Sequence, residues 1–342
     1  MSATARTDRA DIETRFESHR AELTAYCYRM LGSGFEAEDA VQETLIRAWR
    51  GIDRFEGRST LRAWLYSIAT NVCLNMLKGA QRRSRPMDLG PALSGDAALG
   101  PALAERTWVG PIPDRRVLPA DGDPAELTVA RESIRLAFVA ALQLLPPRQR
   151  AVLILRDVLR WSAADVAELL ETSVVSVKSA LQRARATLAT SGMAGSDQWT
   201  PAVPVDGEHQ ALLDRYVDAV ERWDVDALVA LLHEDATLDM PPHALWLQGA
   251  ASIHGWFQNK HHELRVLPTA ANGSSALGVY RAHQPGGPYE PFHLQVVEVS
   301  AGRITAIHSF FDPSRGCQLA VGGGRAAVGL FRLFDLPARL DG

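Results

Sequence analysis

Cysteine and long apolar runs are both scarce in this chain of 342 residues. The three cysteines, Cys27, Cys73 and Cys317, are far apart and form no C-x-x-C pair, which argues against a disulfide framework and a zinc ribbon. No apolar stretch approaches the roughly 20 residues that a membrane helix needs, and residues 1–20 lack the apolar core of a signal peptide. We therefore expect a cytoplasmic protein with reduced thiols, no metal site and no membrane contact.

Charge is unevenly distributed along the chain. Lysine and arginine outnumber aspartate and glutamate 14 to 11 over residues 1–85, stand at 12 to 13 over 86–200, and are outnumbered 10 to 16 over 201–342. Nine of the ten histidines also lie beyond residue 200. The first part of the chain is therefore a candidate for binding a polyanion, and the last third is predicted to have a different role.

The hydrophobic pattern changes twice along the chain. Residues 12–83 and 125–190 have helical periodicity, whereas 84–125 are rich in proline, glycine and aspartate, which is typical of a linker. After a second polar stretch, four segments alternate between apolar and polar residues, as strands do, and turn signals such as Asn272-Gly273 and Ala301-Gly302 separate them. The predicted fold is multidomain, with two all-α domains followed by an α+β domain.

Residues 161–188 have the pattern of a helix-turn-helix. Ser162 and Asp165 are spaced as a capping box for a first helix, and Thr172 or Ser173 can cap a second. The outward face of the second helix has three cations and no acid, which suits a helix that lies in the major groove of DNA. The candidate DNA-binding residues here are Ser173, Ser176, Lys178, Ser179, Gln182, Arg183 and Arg185. The alternative is a plain helical hairpin with a solvated polar face.

The residues before this motif favour the first interpretation. LPPRQRAVLILRDV followed by WSAADVAELLETSVVSVKSALQRAR resembles region 4 of the sigma-70 family of bacterial RNA polymerase initiation factors, in its extracytoplasmic-function branch. The resemblance implies that this unit binds the −35 promoter element and contacts the flap of the second polymerase subunit.

The first helical block fits the same family. EDAVQETLIRAWR resembles region 2.2, which binds the clamp helices of the largest polymerase subunit, so that role falls on Asp39, Gln42, Glu43, Ile46 and Arg47. Ile46 points outward among charges, as an interface anchor would. A single exposed apolar residue on an ordinary surface is the alternative.

The next helix carries a polar and aromatic stripe that suits single-stranded DNA, because bases stack on rings and phosphates bind cations. FEGRSTLRAWLYSIATNVCLNMLK resembles regions 2.3 and 2.4 of the family, in which a loop captures a flipped base of the −10 element. The candidate residues are Arg58, Ser59, Arg62, Trp64, Ser67, Asn71, Lys78 and Arg82. Against this, a tryptophan on a helix often belongs to the core, and we expect Leu61, Leu65, Ile68, Val72 and Met76 to be buried.

The third block opens with HQALLDRYVDAVERWDVDALVALLHEDATLDMPPHALWLQGAASIHGWFQ, residues 209–258. This segment resembles the first helices and strand of the SnoaL-like, nuclear-transport-factor-like α+β cone that occurs in large actinobacterial sigma factors. The linker string TWVGPIPD resembles the W-L-x-P-Y-P-D signature of that subfamily. The residues expected to line the cone pocket are Asp239, His243, Trp246, His254, His293 and His308. The cone could regulate the sigma domains by an intramolecular contact, bind a ligand, or act as an enzyme. No catalytic residue is assigned, and no cofactor is expected.

The resulting domain plan is region 2 at 11–85, a linker at 86–124, region 4 at 125–191, a linker at 192–206, the SnoaL-like domain at 207–313 and a tail at 314–342. The apolar end of the tail could pack on the cone or reach the sigma domains. The expected function is that of a sigma factor whose partners are core RNA polymerase and promoter DNA, with activity modulated by its own cone. The competing interpretations are a cyclase or isomerase with a helical appendage and a dimeric repressor.

Overall fold

The computed structural model describes residues 11–55, 57, 59–119, 123–190, 207–258, 260–311 and 328–341. The chain divides into two compact units. The helical unit contains Met1–Arg82 and Arg115–Gln198, and the cone unit contains Arg83–Asp114 and Trp199–Gly342. In the described part of the chain, no helix is long and apolar enough to cross a membrane.

The helical unit contains both sigma-like blocks. Its helices are residues 11–17 (α1), Arg20–Leu31 (α2), Gly34–Gly51 (α3), Leu61–Met76 (α4), Asp114–Val117 (α5), Pro124–Glu132 (α6), Leu136–Gln143 (α7), Pro147–Leu153 (α8), Ala163–Leu169 (α9) and Val174–Thr190 (α10). Ser33 caps α3 by accepting a hydrogen bond from the Glu36 N–H, and Thr60 caps α4 by accepting one from the Ala63 N–H. Both hydroxyls accept from a backbone N–H three residues further on, as N-cap side chains do.

Helices α2, α3 and α4 pack around a core in which Tyr26 and Thr70 share a hydrogen bond of 2.7 Å between their hydroxyls. Cys27 and Cys73 are buried free thiols. Of the α4 residues predicted to be buried, Leu65 and Val72 are buried, whereas Leu61 and Ile68 are half-buried. The prediction for Met76 was wrong, since this residue is 37% exposed. Met76 is the last residue of α4 and lies past the packed part of that helix.

The cone unit is built on one six-stranded sheet. Its strands are Leu232–Asp239 (β1), Trp246–Gln248 (β2), Leu264–Ala271 (β3), Ser274–Ala282 (β4), Tyr289–Ser300 (β5) and Arg303–Phe310 (β6), in the order β2-β1-β6-β5-β4-β3. The β1–β6 pair is parallel and the other pairs are antiparallel. The helices are Gly207–Glu221 (α11), Val225–Ala230 (α12), Ala250–Gln258 (α13) and Val328–Leu333 (α14).

Two tight hairpins set the register of the sheet. Asn272 and Gly273 have φ values of 56° and 71°, and Ala301 and Gly302 have 48° and 70°. Positive φ at both central residues is the signature of a type I′ turn, whose twist matches that of the flanking strands. The predicted turn signals are therefore the turns that join β3 to β4 and β5 to β6, and the expected fold class is confirmed.

The end of the chain packs on the cone. Phe331 of α14 lies edge-on to Tyr280 of β4, with ring centroids 4.9 Å apart, and the Tyr289 N–H donates to the Leu340 carbonyl at 3.0 Å. Residues 328–341 therefore pack on the cone, which was one of the two alternatives for the tail. The remainder of the predicted tail, including its GGGR sequence, lies outside the described residues.

Residues 83–114, here called the strap, belong to the cone unit although they connect the two sigma-like blocks in sequence. The Leu93 N–H donates to the Trp246 carbonyl, and the Leu103 N–H donates to the Pro242 carbonyl. A Cβ atom at Gly95 would overlap the Ser252 carbonyl of α13. The composition of this segment predicts a flexible linker, and nothing in its periodicity indicates that it packs on a sheet more than 100 residues further along the chain.

Candidate nucleic-acid interface and cone cavity

The helix-turn-helix forms from local capping. The Ser162 hydroxyl accepts from the Asp165 N–H at 3.1 Å, and the Asp165 carboxylate accepts from the Ser162 N–H at 3.2 Å, which completes the predicted capping box of α9. Ser173 caps α10 by accepting from the Ser176 N–H at 3.1 Å. Val177 and Ala184 of α10 are buried, so the opposite face of that helix points to solvent.

The exposed face of α10 carries the predicted DNA-binding residues. Ser173, Ser176, Lys178, Gln182, Arg183 and Arg185 are exposed, and Ser179 is half-buried. Arg183 donates to the Ser179 hydroxyl at 2.7 Å, and Arg185 makes two hydrogen bonds to Asp157, at 2.9 and 2.7 Å. Val175, which was not among the predicted residues, is 76% exposed at the N-terminal end of α10. An apolar side chain there suits the methyl group of a thymine.

On α3, four predicted polymerase-binding residues, Asp39, Gln42, Ile46 and Arg47, are exposed, and Glu43 is partly exposed. Arg47 donates to the Glu43 carboxylate at 2.7 Å. Trp49, which the sequence analysis did not single out, is as exposed as Ile46 and packs edge-on against Phe16 at 6.3 Å. The surface therefore combines two apolar side chains with a polar rim, the composition of a protein interface.

The residues predicted to bind the −10 element are arranged unequally around α4. Asn71, Lys78 and Arg82 are exposed, Ser59 and Ser67 are half-buried, and Arg58 lies outside the described residues. Trp64 is half-buried and stacks on Phe55 at 4.9 Å. Arg62 is partly exposed, and its guanidinium donates to the Glu22 carboxylate of α2 at 2.7 Å. The structure therefore does not unite all eight residues in one exposed stripe.

Within the helical unit, the two sigma-like blocks pack against each other. Arg29 of α2 donates to the Ser133 carbonyl at 3.1 Å and to the Ser133 hydroxyl at 2.6 Å. Arg150 of α8 donates to the Met30 carbonyl and to the Gln143 side chain. Burial lowers the pKa of both guanidinium groups to about 10.

Aromatic contacts extend the same interface. The Trp161 ring lies 5.1 Å from the Tyr66 ring, and the Arg62 guanidinium lies 5.4 Å from the Trp161 ring. The composition of residues 84–125 predicts a linker between the two blocks, and in the structure helices of both blocks nevertheless share one packed interface.

The cone contains a cavity that is partly open to solvent. Of the six residues predicted to line it, only His293 does so. The lining residues are Tyr216, Ala219, Val220, Trp223, Asp224, Val225, Leu228, Met240, Trp256, Phe257, Lys260, His262, Leu264, Phe292, His293, Gln295, Ser309 and Phe311. The cavity wall is predominantly aromatic and aliphatic. These residues could not be predicted from the sequence, because they come from α11, α12, α13 and three strands that are distant from one another along the chain.

The other predicted pocket residues have partners elsewhere. Asp239 of β1 and His308 of β6 form a hydrogen bond of 2.5 Å. Ser309 faces the cavity, so its neighbour His308 points to the opposite face of the sheet. His243 is hydrogen-bonded to the Gly100 carbonyl, Trp246 to the Gly90 carbonyl and His254 to the Asp226 carboxylate. Burial lowers the pKa of His308, but the Asp239 and Glu298 carboxylates outweigh burial and raise that pKa to about 10.

Two cavity histidines are held neutral. Burial and the neighbouring His262 and Arg281 lower the pKa of His293 to about 3. Burial also lowers the pKa of His262 to about 4, with Arg281, His261 and Lys260 adding to the effect. Among the described residues, no cluster of His, Cys, Asp and Glu could hold a metal ion.

Comparison with known families assigns three segments. Residues 15–83 match the family described as Sigma-70 region 2, residues 135–188 match Sigma-70, region 4, and residues 213–307 match the SnoaL-like domain. These matches confirm the resemblance drawn from the sequence motifs.

Similar proteins span nearly the whole chain. The ECF RNA polymerase sigma factor SigG of Mycobacterium tuberculosis is 43% identical over 309 residues, which cover 89% of this chain and 82% of SigG. SigJ of the same species is 30% identical over 316 residues, which cover 88% of this chain and 92% of SigJ. The crystal structure of SigJ has the same fold, with a TM-score of 0.51 at 23% identity over 87% of this chain and 95% of that one.

Proposed function

The chain belongs to the ECF RNA polymerase sigma factors, and from that premise we propose which surfaces contact promoter DNA and polymerase and how the cone controls them. A sigma factor binds core polymerase and promoter DNA and initiates transcription without covalent chemistry of its own. We also infer that it acts in the cytoplasm, with core polymerase.

The exposed face of α10 is proposed to bind the −35 element. Gln182 and Arg183 are long enough to contact base edges in the major groove, while the serine hydroxyls and Lys178 suit phosphates. The supporting observation is that Lys178, Gln182 and Arg183 are exposed and that α10 contains no acidic residue of its own.

Replacement of Arg183 by Ala tests this role. If Arg183 contacts a base, binding should weaken by about 1 to 3 kcal/mol and discrimination should relax at one base pair of the −35 element. Arg148→Ala, which removes an exposed cation from α8, is the matched control. An unchanged promoter preference in the Arg183 variant would exclude base contact by that residue.

The surface of α4 and the loop before it are proposed to bind the −10 element. Asn71, Lys78 and Arg82 present polar and cationic groups to solvent, and the loop from Asp53 to Ser59 is the candidate for holding a flipped base. Binding of an unpaired −10 oligonucleotide should weaken in a Lys78→Ala, Arg82→Ala double variant. Equal affinity at low and high salt would contradict a phosphate-binding role for these two cations.

The exposed face of α3 is proposed to bind the clamp helices of the largest polymerase subunit, and region 4 is proposed to contact the flap of the second. Asp39→Lys with Glu43→Lys should reduce capture of the sigma factor by core polymerase, because the changes reverse the charge of the rim around Ile46. Glu13→Lys, on α1, changes an exposed acid elsewhere in the helical unit and serves as control. Equal capture of all three proteins would refute the assignment.

The cone is proposed to modulate transcription through the strap, which connects the two DNA-binding blocks. Asn272 fixes the strap from the β3–β4 turn, because its backbone N–H donates to the Ile112 carbonyl and its side-chain oxygen accepts from the Ile112 N–H, both at 3.1 Å. The neighbouring Gly273 N–H donates to the Asp114 carboxylate at 2.8 Å.

An Asn272→Gly, Asp114→Ala variant of the full chain tests this route. Glycine keeps the positive φ that the turn requires, so the sheet should persist while the side-chain bonds to the strap are lost. Ala301→Gly makes the same change in the β5–β6 turn, away from the strap. Transcription from one fixed promoter should change in the first variant only. Identical output from all three proteins would refute modulation through the strap.

A further inference from the structure

We infer that Val175 determines promoter specificity by packing against the 5-methyl group of a thymine in the −35 element. This role rests on the binding of that element by α10 proposed above, and it adds the identity of one recognised base. Three observations carry it: the exposure of Val175, its place on α10 and the charges on either side of it.

Val175 is the most exposed of the large apolar side chains in the described part of the chain. It is 76% exposed, and the next, Val129 on α6, is 51% exposed. Valine is a poorer helix former than alanine or the long unbranched residues, and at this exposure it contributes little apolar burial. Neither helix formation nor core packing therefore accounts for a valine at position 175.

The position of Val175 is at the centre of the solvent face of α10. Val175, Ser179 and Gln182 are spaced by four and three residues, so they lie in one stripe along the helix. With 3.6 residues per turn, this stripe is opposite the buried Val177 and Ala184. A recognition helix in the major groove turns such a stripe towards the base edges, and its first residues contact them.

Cations flank this stripe on both sides. Lys178 and Arg185 lie on one side, where Arg185 also pairs with Asp157, and Arg183 lies on the other. No acidic residue occurs in α10. The flanking cations complement the two phosphate backbones that border the major groove, which leaves the uncharged stripe between them to contact bases.

A valine side chain can select one feature of the base edges in the major groove. Guanine, adenine and cytosine present hydrogen-bond donors and acceptors there, whereas thymine also presents its 5-methyl group. Against the other three bases, valine would exclude water from donors and acceptors without replacing the lost hydrogen bonds. Against thymine it buries a methyl group, which should strengthen binding about fourfold, or by about 0.8 kcal/mol.

Uracil tests this contact, because it lacks the methyl group of thymine and keeps the same hydrogen-bonding groups. The full chain is combined with core RNA polymerase, and a preferred −35 element is selected from a randomised promoter library. Each thymine of that element, on either strand, is then replaced singly by uracil, and the affinity of the holoenzyme is measured. One of the uracils should weaken binding about fourfold. A preferred element without thymine, or no weakening by any single uracil, would overturn the inference.

Two serine variants then locate the contact. Val175→Ser removes the apolar group from an exposed position, so the protein should fold as before while the ratio of thymine to uracil affinity falls to about one. Val129→Ser makes the same change at the other highly exposed valine and should keep the fourfold ratio. The ratio is taken within each protein, so a difference in active fraction cancels. A fourfold ratio that persists in Val175→Ser, or that is lost in Val129→Ser, would overturn the role of Val175.

The Arg183→Ala variant separates failure at Val175 from failure of −35 binding by α10. If no uracil weakens binding while Arg183→Ala still relaxes discrimination at the −35 element, the role of Val175 is refuted and the binding by α10 stands. If neither uracil nor Arg183→Ala has an effect, both are refuted.

Discussion

Replacement of Trp161 by Ala should loosen the contact between the two DNA-binding blocks. The indole packs on Tyr66 at 5.1 Å and beneath the Arg62 guanidinium at 5.4 Å. The aromatic pair contributes about 1 kcal/mol and the cation–π contact about 0.5 to 1 kcal/mol. Loss of a half-buried indole adds about 1 to 2 kcal/mol of apolar burial. The buried indole N–H has no partner among the described residues, so its removal gives back about 1 kcal/mol.

The net effect is about 2 kcal/mol of weakened packing between the two blocks, so the fraction of molecules in which the blocks have separated should rise by about thirtyfold. Fluorescence energy transfer between dyes at Gln42→Cys and Ala186→Cys, in a chain with Cys317→Ser, measures this shift, because Cys27 and Cys73 are buried. Trp49→Ala removes a tryptophan that packs on Phe16 of the same block and is the control. Equal transfer efficiency in all proteins across low urea concentrations would refute the reasoning.

Three further outcomes are expected. Ser162→Ala removes the cap of α9 and should lower the free energy of unfolding by about 1 kcal/mol, measured by urea denaturation; no change would mean that the cap contributes nothing. Asp157→Asn should change the free energy of unfolding by less than about 1 kcal/mol, because the ion pair with Arg185 is exposed. The same change leaves Arg185 able to bind a DNA phosphate, so the salt dependence of −35 binding should steepen by about one ion. An unchanged slope would show that Arg185 binds no phosphate. The carboxylate partners of His308 raise its folded-state pKa to about 10. The contribution of His308 to the free energy of unfolding is therefore complete below about pH 6.5 and falls by about 1 kcal/mol per pH unit as the pH rises towards 10. His308→Gln should flatten that part of the urea-midpoint profile, and parallel wild-type and variant profiles would contradict the assignment.

Helix caps and hairpin turns could be predicted from residues that are close together in the sequence. The Ser162–Asp165 box, the caps of α4 and α10 and the two hairpin turns depend on residues close in sequence, so the pattern predicts them directly. The exposed face of α10 follows from the same helical periodicity.

Contacts between distant segments could not be predicted in this way. The cavity wall combines residues from α11 to β6, and polar residue type alone selected histidines that bond elsewhere, such as His243 and His254. Arg62 was assigned to the DNA-binding surface, whereas in the structure its guanidinium is paired with the Glu22 carboxylate on another helix. Residue type and spacing do not specify such partners.

The strap has a consequence for the order in which the protein can be completed during synthesis. The strap residue Ile112 bonds to Asn272, which the ribosome adds 160 residues later. At about 5 to 20 residues per second, Ile112 waits roughly ten to thirty seconds for its partner. The first DNA-binding block precedes Ile112 and the second is translated within that interval, so both are complete before this contact can form. A newly made chain therefore passes through a period in which its promoter-binding parts exist without the cone.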